Sequence, residues 1–358
     1  MTIPDQQPAT PFDAGTETSL GGPSGQRTPR WQRLLPVIVI AVLGLSVTAV
    51  AKDVGQIGAA LQGFDWRLLV PVVMLTLWNY GWRFLKWRRF LRQVGADDVP
   101  PRVSVLVFLS AFSMSVTPGK VGELIKATEL RRLHGTPVSR TTAIVAAERL
   151  TDAAAMLILA SVGAYQFAQA RSLLVATAFL ASLGIALLQR PRPLLAVLDR
   201  LPSLPLVGQP RDHAASFFST VGPLMGLPSF AAATAIGVVA WLGECTALFV
   251  ILVGFDLPPS WHLFFVAVFT LAVSSLAGAL SLLPGGLGVA EASITGLLLL
   301  LVHNDQMTGS VATSATLIIR FATLWFAVAL GAAALWLSRR LPAGEASDGA
   351  RQRTPRLP

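Results

Sequence analysis

Cysteine is almost missing from this 358-residue chain: Cys245 stands alone. A single cysteine excludes an intrachain disulfide and any cysteine-based metal site. The four histidines, His134, His213, His262 and His303, are scattered without ligand spacing, so neither a metal enzyme nor a cofactor is expected. Charge is scarce too, at 13% of residues, against 53% hydrophobic residues and a mean hydropathy of +0.61. A soluble domain of this size rarely has so little polar surface. No series of alternating ten-residue segments occurs, which sets aside an outer-membrane barrel. A nucleotide-binding loop is also missing, because "TPGKVGE" lacks the G-x-x-x-x-G-K-[ST] pattern.

What the chain does have is apolar blocks of roughly 17 to 25 residues, the length that crosses ~30 Å of hydrocarbon as a helix. The fold class is therefore an all-α polytopic membrane protein. Six spanning helices are expected, at about 34–51, 66–85, 140–166, 171–189, 229–253 and 313–337. The first of these ends in Ala49-Val50-Ala51, which mimics a signal-peptidase site. It is too long and too far from the N-terminus for a signal peptide, so it reads as a retained helix. Two further apolar regions, 103–133 and 261–302, are each interrupted by a Pro-Gly cluster, giving eight to ten apolar helical segments in all. The stretch 103–116 would reach only ~21 Å as a helix, which favours re-entrant helix pairs at these two places.

The ends and the middle are different in character. Residues 1–33 are rich in Pro, Gly, Ser and Thr and read as a disordered tail. The stretch 190–228 reads as a loop, and 341–358 as a disordered basic tail. The net charge of +9 does not point to nucleic acid, because most of the 28 Lys and Arg sit at segment ends. Only Lys52, Arg67 and Arg171 fall on the sparsely charged side. The positive-inside rule then places both termini in the cytoplasm and the chain in the cytoplasmic membrane.

The two interrupted regions match each other. Pro118-Gly119-Lys120-Val121-Gly122 and Pro284-Gly285-Gly286-Leu287-Gly288 share P-G-x-[VL]-G. An acidic residue follows each (Glu123, Glu291), and an arginine lies in a later apolar helix (Arg149, Arg320). Entered from opposite sides, the halves 66–189 and 229–337 read as an inverted repeat, in which such paired breaks point to a substrate site. Proline opens a helix without losing a hydrogen bond, and glycine permits a tight turn. The helix start that follows would offer free N–H groups to a phosphate or carboxylate. A kink or tight turn without a ligand is the plain alternative.

Charges also lie inside apolar segments. Lys126 follows the first break, and "AAERLTDAAAM" carries Glu148, Arg149 and Asp152 within 140–166. Glu244 and Arg320 each stand alone in an apolar segment. Such residues usually face a cavity or a partner. Arg149 and Asp152, three apart, are suited to a structural ion pair. Glu148 and Arg320 have no local partner and read as ligand-facing, whereas "RFLKWRRFLR" at 83–92 reads as a basic membrane exit.

At these residues the chain resembles the integral-membrane domain of lysylphosphatidylglycerol synthases and the flippase-like proteins that share it. The motifs are "TPGKVGELIKA", "ERLTD", "LLPGGLGVAEAS" and "RFATLW", in order across about 34–340. The resemblance implies movement of a lipid between leaflets. Only a short basic tail follows Arg340, so the implied form is a stand-alone member without the aminoacyl-transferase domain. The expected function is a lipid flippase or transporter, not an enzyme, whose partner is a membrane lipid with an anionic or zwitterionic headgroup. A membrane-embedded headgroup-modifying enzyme, or a non-catalytic partner of a lipid-modifying enzyme, is the alternative.

Overall fold

The computed structural model describes residues 54–117, 122–164 and 221–342. The expected tails, the segments at 34–51 and 171–189, nearly all of the 190–228 loop, and Pro118, Gly119 and Lys120 lie outside the described residues. Within them the chain is helical, in keeping with a polytopic all-α membrane protein. A short helix α1 (Val54–Gln62), not expected from the sequence, precedes α2 (Leu69–Gln93). The first interrupted region forms α3 (Pro101–Ser110), a tighter turn at Ala111–Met114, and α4 (Ile125–His134). Then come α5 (Val138–Ala164), α6 (Leu227–Val253) and α7 (Trp261–Leu280). The second break is a turn at Pro284–Gly286, followed by α8 (Val289–Leu301), α9 (Gly309–Arg320), a π-turn at Phe321–Trp325, and α10 (Phe326–Arg340).

Local chemistry sets the ends of several helices. Pro101 opens α3 where its missing N–H costs nothing. Gly135, at φ 77°, closes α4 in the left-handed conformation. Ser260 and Thr308 cap α7 and α9 by accepting from Leu263 and Val311 N–H at 3.2 and 3.3 Å.

Five stretches are long and apolar enough to cross a membrane: Trp66–Gln93, Leu227–Val253, Trp261–Leu280, Pro284–Leu301 and Gly309–Arg340. α5 is equally long, at 27 residues, but carries Glu148, Arg149 and Asp152 along its middle. The two interrupted regions differ in reach. α3 with its following turn covers only 101–114, whereas α7 and Pro284–Leu301 have 20 and 18 residues and reach across by length alone, beyond what a re-entrant pair needs. Even so, the second break packs beside Arg320, the twelfth residue of the continuous 32-residue stretch Gly309–Arg340. It therefore lies part-way along that helix, about 18 Å from its start at 1.5 Å per residue.

Side chains of Leu248, Ile251, Val266, Ala267, Leu298 and Ala315 form one apolar cluster, built from α6 to α9. Trp87, Phe90, Phe108, Leu130 and Ile144 centre a second, built from α2 to α5. Close backbone approach joins α10 to the first interrupted region. A Cβ on Gly331 of α10 would lie 2.2 Å from Ser113 N, so only glycine lets α10 sit on the turn after α3. Val70, Met74, Leu300 and Phe321 remain more than half exposed, the outer face expected of helices surrounded by lipid.

Candidate functional site

A cavity of about 340 Å³ lies between the clusters. Tyr80 and Arg83 of α2 line it, with Glu123 after the first break and Arg149 and Asp152 of α5. From the other side come Trp241 and Glu244 of α6, Gly285 and Gly286 of the second break, and Arg320 and Thr323 at the π-turn. The second break here meets the turn that follows α3: a Cβ on Gly285 would lie 3.5 Å from Val116 Cα. Gly286, at φ 66°, packs so tightly that its Cβ would come within 2.9 Å of Gly278 Cα. Two segments far apart in sequence thus bound one polar space.

Asp152 is the hub of the charged wall. Arg149 Nη2 lies 3.1 Å from Asp152 Oδ2 and 3.3 Å from Glu123 Oε2. Lys86 Nζ donates to Asp152 Oδ1 in a very short contact and to Thr151 Oγ1 at 3.3 Å. Arg83 Nη2 approaches Asp152 Oδ2 at 3.9 Å. The Arg149–Asp152 pair expected from its spacing is therefore present, inside a larger network. The basic stretch at 83–92 is more than a membrane exit, which corrects that expectation. Asn79, Arg83, Lys86 and Phe90 are spaced four, three and four apart, so one stripe of α2 carries two cations inward. Lys86 is completely buried. That spacing was a readable signal for Arg83 and Lys86.

Two more ion pairs give Glu148 and Arg320, which have no local partner, distant ones, and so correct the expectation that both are ligand-facing. Lys126 Nζ donates to Glu148 Oε2 at 2.6 Å, and both side chains are almost fully buried. The Lys126 ammonium also lies 4.9 and 5.0 Å from the Trp87 and Phe108 ring centres. This pair does not line the cavity; it fastens α4 to α5 behind the wall. Arg320 Nε donates to Glu291 Oε1 at 2.6 Å and its Nη2 to Gly285 O at 2.9 Å. Glu291 Oε2 accepts Gly288 N–H at 2.6 Å. The start of α8 is therefore capped by its own carboxylate, not left open to an external anion. Pro284, Gly288 and Glu291 stand beside the cavity, and Gly122 donates its N–H to Thr117 Oγ1 at 2.8 Å in the first break.

The π-turn follows Arg320 directly. A π-turn breaks the regular ladder of a helix, and Tyr80 donates its hydroxyl to Thr323 O at 2.8 Å within it. α2, the second break and the α9–α10 helix are thereby tied together at the cavity. Among the described residues no cluster of His, Cys, Asp and Glu is arranged to hold a metal ion.

Many long apolar helices, with ion pairs and broken backbone around an internal cavity, define a multi-pass all-α membrane protein. The family model described as the lysylphosphatidylglycerol synthase TM region matches residues 34–331, and the chain belongs to that family. It is similar to a UPF0104 membrane protein of Methanothermobacter thermautotrophicus, 24% identical over 290 residues, which cover 75% of this chain and 82% of that protein. Another UPF0104 membrane protein of the same organism is 34% identical over 106 residues, covering 27% of this chain and 28% of that one.

Proposed function

We propose that this protein is a lipid flippase or transporter that moves a lipid with a charged headgroup between the leaflets of the cytoplasmic membrane. One observation carries the reading: Arg83, Arg149, Arg320, Glu123, Asp152 and Glu244 line one cavity, beside the second Pro-Gly break and between Ser115 and Glu123, which flank the first. An Asp, Lys or Arg at the centre of a spanning helix costs about 2.5–3.5 kcal/mol on insertion scales, and such residues mark pathways for polar cargo. If the halves 66–189 and 229–337 form the inverted repeat expected from the sequence, rocking one against the other would give alternating access. Membership of a family described by a lipid synthase's membrane region supports a lipid as the cargo.

In this reading Arg83 and Arg149 attract the anionic part of a headgroup, Arg320 braces the second break, and the carboxylates balance these cations or receive a cationic part. A headgroup-modifying enzyme has less support. Glu148, Asp152 and Glu291, the carboxylates suited to acid or base work, are each held by a cation. The test is leaflet distribution of fluorescent phospholipids in liposomes containing the purified protein, read with a membrane-impermeant quencher. Quenching beyond that of protein-free liposomes is expected. Equal quenching, with folded protein present, overturns the proposal.

A further inference from the structure

We infer that the cavity grips a single phosphate ester between Arg83 and Arg149. The inference rests on the lipid-transport reading and names the part of the headgroup that the site holds.

One carboxylate is shared by several cations in this corner. Among the described residues Arg83, Lys86 and Arg149 all face Asp152, and Glu123 is set against Arg149. Lys86 has committed its ammonium to Asp152 and Thr151. Arg83 is left with the longest pairing, 3.9 Å to the same oxygen that Arg149 approaches at 3.1 Å. Among the described residues its guanidinium makes no hydrogen bond, yet its side chain is only 11% exposed. Phe112 and Trp241 flank it, with ring centres 5.5 and 5.6 Å away. A guanidinium offers five donors in a planar fork that matches phosphate oxygens, and here that fork lines a cavity with its donors uncommitted.

The other cations are poorer candidates. Arg320 is engaged by Glu291 and the Gly285 carbonyl, and Lys126 is sealed behind the wall with Glu148. With those two cations engaged, Arg83 and Arg149 are left to hold an anion, enough for one phosphate, so the ligand is a monophosphate and not a diphosphate. The volume, about 340 Å³, lies at the small end of the ~300–1,000 Å³ of ligand pockets. It accommodates a headgroup while acyl chains stay outside. Leu280 and Leu282, 81% and 67% exposed, lie beside the cavity-lining Leu283 and form an apolar lip for those chains.

The experiment is calorimetric binding to the purified full-length protein in neutral detergent. The probes are short-chain phosphatidylglycerol, inorganic phosphate, a lipid diphosphate and a neutral diacylglycerol. Arg83→Gln and Arg149→Gln should each weaken phosphatidylglycerol about tenfold or more, the effect of one charge-assisted bond. Arg83→Lys should lose less, and the exposed Arg92→Gln should match the parent. Inorganic phosphate bound as tightly as the lipid, with the same Arg83 dependence, keeps the receptor and makes its source free phosphate. Tight binding of the neutral lipid, preference for the diphosphate, or unchanged affinity in Arg83→Gln overturns the inference. Should Arg83→Gln not fold, the parent alone decides: phosphatidylglycerol raises its melting temperature and diacylglycerol does not, and no shift with any phosphate probe overturns the inference. Lipid crossing the bilayer normally in Arg83→Gln removes the receptor and leaves the transport reading standing. Arg83-dependent binding with no lipid movement by the parent does the reverse.

Discussion

Removing Lys126 alone should destabilise the protein far more than removing it together with Glu148. The two side chains are 1% and 3% exposed and 2.6 Å apart, so Lys126→Met strands a carboxylate among Phe108, Trp87 and the α5 backbone. Breaking a buried pair by deleting one partner costs about 3–5 kcal/mol, whereas replacing both by apolar residues of similar size is often neutral or stabilising. Part of the Lys126 contribution is its contact with two aromatic faces, worth up to about 2 kcal/mol where water is excluded. Met keeps the packing of the stem but not that attraction. At about 2 °C per kcal/mol, the low end for large domains, Lys126→Met should melt roughly 6–10 °C below the parent. Lys126→Met with Glu148→Leu should recover most of that loss. Thermal unfolding of the parent, Lys126→Met, Glu148→Leu and the double variant in one detergent, with near-ultraviolet circular dichroism as the probe, completes the cycle. A double variant as unstable as Lys126→Met, or a single variant equal to the parent, refutes the reasoning. Because the pair lies behind the cavity wall, the double variant should also keep lipid transport.

Gly331→Ala should cost at least the ~1–3 kcal/mol of overpacking, since its Cβ would meet Ser113 N at 2.2 Å; a melting temperature within 1 °C of the parent, roughly half the shift of a 1 kcal/mol change, contradicts that packing. Tyr80→Phe removes the hydroxyl that donates to Thr323 O at the π-turn. It should cost about 1 kcal/mol and speed amide exchange in Phe321–Trp325 above exchange elsewhere, which hydrogen-exchange mass spectrometry reads directly. Arg320→Lys keeps a positive charge but cannot bridge Glu291 and the Gly285 carbonyl together. It should lower transport without altering phosphate affinity, a split that separates a brace of the second break from a ligand contact.

Much of the helical plan was readable in the sequence. The expected spans at 229–253 and 313–337 fall within Leu227–Val253 and Gly309–Arg340, because unbroken apolar runs with Pro or Gly at their ends leave few alternatives. The second Pro-Gly break was readable, as was the Arg149–Asp152 pair, a local contact three residues apart. What was not readable was tertiary. Lys86 meets Asp152 across 66 positions, Lys126 meets Glu148 across 22, and Arg320 meets Glu291 across 29. No local spacing announces such partners. Charges at 83–92 also resemble a membrane exit when counted together. Only the helical stripe separates the inward Arg83 and Lys86 from the exposed Arg92.

The most direct test of the central claim is to block the cavity chemically in folded protein. Ser275 lines it, and the native Cys245 is buried, so Ser275→Cys offers a polar thiol reagent one reactive site. Lipid movement in liposomes should be normal in Ser275→Cys and stop once the thiol carries a bulky charged adduct, while the parent is unaffected by the reagent. Stoichiometric labelling of Ser275→Cys with undiminished lipid movement would place the pathway elsewhere and contradict the account.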